Sequence, residues 1–117
     1  MKEESYANFV EGKLKIGQDI LAQMTPSKAN LLHIGLGIVG EAGELADAIK
    51  KHCAYGNDLD VENVLEELGD LEFYMQALRN AIMVNRDSII FQNVNKLNKR
   101  YEKGYSDKEA IDRNDKK

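Results

Sequence analysis

The chain has no tryptophan, and a single proline (Pro26) and a single cysteine (Cys53) among its 117 residues. One cysteine rules out an intramolecular disulfide framework and suits a reducing compartment. Cys53 has no neighbour that would mark it as a nucleophile and reads as an ordinary thiol. Histidine is scarce too. His33 and His52 are preceded three positions earlier by Asn30 and Ile49, so the Glu-x-x-His pairs of a di-iron bundle are missing, as are the usual ligands of zinc. No apolar run approaches the ~20 residues needed to span a membrane. The start, Met1-Lys2-Glu3-Glu4-Ser5, is polar and lacks the apolar stretch of a signal peptide. Nor is there a basic excess: 16 Lys and Arg against 20 Asp and Glu leave a net charge of −4, which argues against non-specific nucleic-acid binding. These absences predict a cytoplasmic protein with no membrane or nucleic-acid partner.

Strand patterning is also missing, since no stretch alternates with period 2 for long. Helical spacing is what the sequence has instead, over a length that suits one domain spanning 1–117. Tyr6, Phe9, Val10, Leu14, Gly17, Ile20, Leu21 and Met24 predict a first amphipathic helix, weakened at Gly12 and Gly17 by about 1 kcal/mol each relative to alanine. Thr25-Pro26 is a helix start, because threonine caps well and proline at the first position loses no hydrogen bond. A second helix is expected over 26–51, with Leu31, Ile34, Ile38, Leu45 and Ile49 on its apolar face. After a loop over 52–60, Asp60 can cap a third helix carrying Val61, Val64, Leu65, Leu68, Leu71, Met75, Leu78 and Ile82. Asn85 or Asp87 can cap a fourth, with Ile90, Val94, Leu97 and Tyr101 as its buried row and Gly104 as its stop. Ser106-Asp107-Lys108-Glu109 has the form of a capping box and predicts a short last helix, followed by a frayed polar tail over 113–117. The expected fold is all-α, bundle-like, with four main helices.

Gly35-Leu36-Gly37-Ile38-Val39-Gly40 matches G-x-G-x-x-G, and Asp60 lies twenty positions beyond Gly40. A dinucleotide fingerprint requires a strand before it and a parallel sheet around it. Here the preceding residues continue a helical pattern, so the match is set aside. The glycines at 35, 37, 40 and 43 are costly in a helix, and close approach of another element or of a ligand is the expected reason.

Two acidic phrases carry the chemistry: Gly40-Glu41-Ala42-Gly43-Glu44-Leu45 and Glu66-Glu67-Leu68-Gly69-Asp70-Leu71. Glu41 and Glu44, like Glu67 and Asp70, are spaced i, i+3, which puts each pair on one helix face. If the two helices pack together, four carboxylates converge, and their repulsion calls for a cation. An ordinary solvated acidic face is the alternative, but it would not need the flanking glycines. Hard carboxylate oxygens suit Mg²⁺, Mn²⁺ or Ca²⁺. Mg²⁺ favours phosphate oxygens as further ligands, which points to a nucleotide. On the fourth helix Asn93, Lys96 and Arg100 share the face opposite the expected buried row, where cations can neutralise phosphate. Alone, that face would read as solvated.

These residues resemble the MazG-like, all-α NTP pyrophosphohydrolases. The likeness rests on Glu41-x-x-Glu44 and Glu67-x-x-Asp70, with Leu45-Ala46-Asp47-Ala48-Ile49-Lys50-Lys51 after the first pair and Leu71-Glu72-Phe73-Tyr74 after the second. It continues through Asn93-Val94-Asn95-Lys96-Leu97-Asn98-Lys99-Arg100-Tyr101, Gly104-Tyr105-Ser106 and Arg113-Asn114-Asp115, and so covers about 28–115. Glu102 departs from the pattern, since many relatives have proline there. The resemblance implies Mg²⁺-dependent hydrolysis (Mn²⁺ substituting) of a nucleoside triphosphate to the monophosphate and pyrophosphate, by metal-activated water. Glu41, Glu44, Glu67 and Asp70 would hold the metal, with Glu66 a weaker candidate. Asn93, Lys96, Arg100 and Tyr74 would bind substrate; His33, two turns before Glu41, is a candidate for reading the base that ranks below an ordinary partly buried histidine. The family implies a homo-oligomer, a dimer or dimer of dimers. The competing reading is a non-catalytic helical module that uses the same acidic cleft to hold a metal, a nucleotide or a partner helix.

Overall fold

The computed structural model describes residues 3–102, 104–113 and 116, and the named elements among them are all α-helices. In order they are α1 (Glu3–Lys13), α2 (Gly17–Gln23), α3 (Pro26–Tyr55), α4 (Val61–Ile82), α5 (Arg86–Arg100) and α6 (Asp107–Asp112). The chain forms two compact units, 1–33 and 34–117, with the division falling inside α3. The all-α expectation holds; the element count differs at the N-terminus.

The first unit contains α1, α2 and the opening turns of α3. The single helix expected through Met24 is broken at 14–16, where Ile16 is extended (φ −82°, ψ 150°) before Gly17 restarts the helix. Gly12 and Gly17 flank the break. Two glycines within six residues remove about 2 kcal/mol of helix preference relative to alanine, and no residue of α1 or α2 is buried to offset that. Thr25 caps α3 as its sequence suggests, its hydroxyl accepting from Lys28 N–H at 3.2 Å.

In the second unit α3 runs four residues beyond its expected end and stops before Gly56, whose φ of +70° suits a residue without Cβ. The expected caps form. Asp60 accepts from Asn63 N–H at 3.1 Å, and Ser106 accepts from Glu109 N–H at 3.1 Å. Of the two candidates for α5, Asn85 takes the role, accepting from Ser88 N–H at 2.8 Å. α4 ends on Met83 in the left-handed region (φ 57°), with Met83 N–H bonded to the Arg79 and Asn80 carbonyls. Fraying over 113–117 falls partly on Asn114, Asp115 and Lys117, which lie outside the described residues.

Ile34 and Ala48 of α3 are buried, and Gly37 and Leu45 of α3 and Leu71, Tyr74 and Leu78 of α4 are half-buried. The Tyr74 ring lies over Gly37. A Cβ at Gly37 would stand 2.7 Å from Tyr74 Cγ, so any side chain there forces the ring, and the helix spacing, to shift. Close approach thus accounts for Gly37 in a helix. At Gly35, Gly40 and Gly43 a Cβ would meet no described atom within 4 Å. Met75, Leu78 and Ile82 of α4 face Ile89 of α5 across a small apolar cavity of about 200 Å³. The buried row expected on α5 needs correction. Tyr101 is half-buried, but Ile90, Val94 and Leu97 are 40%, 49% and 38% exposed. Periodicity identifies residues that share a face; it does not say what covers the face.

Candidate metal centre

Glu41 comes from the middle of α3, Glu67 and Asp70 from the middle of α4. The Gly37–Tyr74 contact sets the register. Each step of one turn along α3 is matched by one turn back along α4, which carries Glu41 to the level of Asp70 and Glu67. One oxygen from each of Glu41, Glu67 and Asp70 lies within 4.8 Å of the others. Glu41 and Glu67 are half-buried and Asp70 is exposed, so the group opens to solvent on one side. Glu44 is exposed and stands outside the group of three.

The electrostatics follow from that crowding. Partial desolvation pushes the Glu67 carboxyl above its ordinary value of 4.5, and the negative charges of Glu41, Glu44, Asp70 and Glu66 push it further the same way. Glu44 therefore acts on the cluster through its charge. An all-carboxylate donor set with unrelieved repulsion, open to water, fits a hard divalent cation with free coordination positions.

The other residues singled out from the sequence fall in different surroundings. Tyr74, one turn beyond Asp70, is half-buried over Gly37 and meets Phe73 edge-on at 5.3 Å between centroids. Asn93 and Lys96 line an open recess of about 390 Å³ with Ile89, Gln92 and Lys116; none of the four carboxylates lines it. The half-buried Arg100 holds its guanidinium 5.6 Å from the Tyr101 ring centroid. His33 is exposed and belongs to the first unit. Sequence reasoning missed Lys116, which sits in a polar tail with no periodicity to place it. It also missed Arg79, the buried charged residue of α4. Its Nε and Nη2 donate to Gln76 Oε1 at 3.0 and 2.7 Å, and Nη2 also pairs with Glu72. The spacing of Glu72, Gln76 and Arg79 was the available signal, since all three share one stripe. These bonds give the buried guanidinium polar partners on its own helix, Gln76 and Glu72.

Comparison with known proteins gives the family of the chain. The family model described as the MazG nucleotide pyrophosphohydrolase domain matches residues 30–105, about two thirds of the chain. The chain belongs to that family. All four carboxylates, Tyr74, Asn93, Lys96 and Arg100 fall inside the matched MazG region. The chain is also similar to the Gene 37 protein of Mycobacterium phage L5, with 32% identity over 78 residues, 63% of this chain and 68% of the phage protein. No solved structure matches it. An all-α fold and an acidic group able to hold a metal ion are what a MazG domain requires, and both are present.

Proposed function

We propose that this MazG domain hydrolyses a nucleoside triphosphate to the nucleoside monophosphate and pyrophosphate, with Mg²⁺ as its natural cation and Mn²⁺ as a substitute. The observation that carries the reading is the approach of Glu41, Glu67 and Asp70 to within 4.8 Å of one another inside the matched region. In this reading Glu41, Glu44, Glu67 and Asp70 form the metal site and the catalytic group. A bound divalent cation supplies charge neutralisation for phosphate oxygens and lowers the pKa of a water. The carboxylates fix the position of that charge and can accept the proton released when water attacks the phosphate. Tyr74, beside Asp70, borders the site, and Asn93, Lys96 and Arg100 supply amide and cationic groups for phosphate oxygens. The reaction consumes one water and breaks the bond between the α and β phosphates.

A panel of canonical and damaged NTPs and dNTPs, incubated with the protein and Mg²⁺, tests this. Pyrophosphate release from at least one of them is expected. No release across the panel would favour the helical binding module, which uses the same cleft without turnover. The reading includes a cytoplasmic location, where nucleotide substrates are held. It is supported by the unpaired Cys53 and by the finding that no described helix is long and apolar enough to cross a membrane.

The reading also includes a homo-oligomer, a dimer or dimer of dimers. Its support is apolar surface: Leu36 and Val39 on α3, Phe73 on α4 and Phe91 on α5 are each more than 60% exposed. Sedimentation velocity is expected to show a species of at least two chains. A monomer at every concentration tested would overturn that part.

A further inference from the structure

Two apolar rows of the second unit stay exposed although both keep the heptad spacing by which helices pack. On α4, Val61, Leu65, Leu68, Met75 and Ile82 recur at steps of four, three, seven and seven. On α5, Ile90, Val94, Leu97 and Tyr101 recur at steps of four, three and four. The C-terminal part of the α4 row is met by Ile89 of α5, which faces Met75, Arg79 and Ile82 across the small apolar cavity. Its N-terminal part is not met: Val61, Leu65 and Leu68 are 57%, 62% and 45% exposed.

The contacts observed within the chain turn both rows outward. At 100° per residue, Val61, Leu65 and Leu68 lie about 120–180° round α4 from Tyr74, which rests over Gly37. They therefore point away from α3. Ile90, Val94 and Leu97 lie about 80–140° round α5 from Ile89, the residue turned toward α4. With Ile89 in place, that row is turned off the α4 of its own chain.

Length and charge say what fits each row. The exposed rows, 61–68 and 90–97, have the same span, about 10 Å of helix. Helix α4 carries Glu62, Glu66, Glu67, Asp70 and Glu72 against the one Arg79, whereas α5 carries Arg86, Lys96, Lys99 and Arg100 against the one Asp87. Pairing α4 with α4, or α5 with α5, would set like charges together. Pairing α4 with α5 sets acid against base.

We infer that the chain self-associates by docking the Ile90, Val94 and Leu97 row of α5 in one copy on Val61, Leu65 and Leu68 of α4 in a second copy. Each copy offers both rows, so a two-fold axis makes the contact twice. The inference rests on the homo-oligomer reading and assigns it a surface. It accounts for the α5 row that periodicity marks as buried and the single chain leaves exposed: the cover belongs to another copy.

The test uses full chains carrying Cys53→Ser with either Leu65→Cys or Val94→Cys, mixed, allowed to exchange, and treated with a short bismaleimide. Leu65 and Val94 sit mid-row and meet whichever way the helices run. A covalent dimer is expected from the mixture and not from either chain alone. In sedimentation velocity, Leu65→Gln or Val94→Gln should raise the dissociation constant of the dimer roughly a hundredfold or more, because a central apolar side chain is lost twice per dimer. The cross-link reads the contact even where a glutamine variant fails to fold. An oligomeric wild type with no cross-link in the mixture, or with unchanged dissociation in both glutamine variants, would overturn the inference and leave the homo-oligomer intact. Cross-linking within single chains of a Leu65→Cys, Val94→Cys double variant, with none between chains, would overturn it by giving the α4 row to the chain's own α5. A wild type that is monomeric at every concentration would defeat the homo-oligomer reading and this inference with it.

Discussion

Glu41→Gln or Asp70→Asn is expected to reduce pyrophosphate release at least ~100-fold while the far-UV circular dichroism of the helices is retained. The size follows from what each substitution removes. Loss of a partner behind a metal ligand already costs 10–100-fold, so loss of a ligand charge should cost no less. Retention of the fold follows from position. Asp70 is exposed, Glu41 is half-buried, and neither makes an ion pair among those observed between described residues, which are Lys51–Asp47 and Arg79–Glu72. Each substitution also removes one negative charge from a repelling group, so neither should weaken the packing of α3 on α4. Full activity in either variant would remove the carboxylate cluster from the reaction.

That cluster was legible in the sequence because helical geometry is local. The i, i+3 spacing alone places Glu41 with Glu44 and Glu67 with Asp70, and one further assumption, that the two helices pack, brings the pairs together. Which of the four would converge was not legible. It depends on the rotation and register of α3 against α4, set by the Tyr74 ring over Gly37, a contact between residues 37 positions apart. The glycine pattern announced a close approach without saying which glycine it served, and in this chain only Gly37 has a described side chain against it. Caps were legible at Thr25, Asp60, Asn85 and Ser106, since each depends on a bond to a residue three positions on. The break at 14–16 was harder, because the apolar spacing passes through it unbroken and only the two flanking glycines hint at it. The exposed row of α5 marks the limit of periodicity: amphipathic spacing is equally strong whether a face is covered by its own chain or by another.

Saturating Mg²⁺ is expected to raise the melting temperature relative to chelator, and the gain should grow as pH rises from acidic to neutral. Binding to the folded state alone stabilises by RT ln(1 + [L]/Kd), about 2.7 kcal/mol when the free ion is at one hundred times its Kd. The pH dependence comes from Glu67. Partial desolvation, then its four acidic neighbours, hold its folded pKa above the ordinary 4.5, so the folded chain takes up this proton more readily than the unfolded one. The stabilisation that results is fully present below 4.5 and is lost as pH rises through the raised folded value. In chelator at neutral pH the chain therefore carries an unrelieved repulsion, which a cation removes. Glu67→Gln removes it without a cation. That variant should melt above the wild type in chelator at neutral pH, and the gap should close as pH falls below 4.5. It should also gain less from Mg²⁺, having lost a ligand. Identical melting of the wild type in chelator and in saturating Mg²⁺ would count against a native metal site. A Glu67→Gln variant less stable than the wild type in chelator would mean that the carboxylate is held by favourable contacts rather than strained by its neighbours.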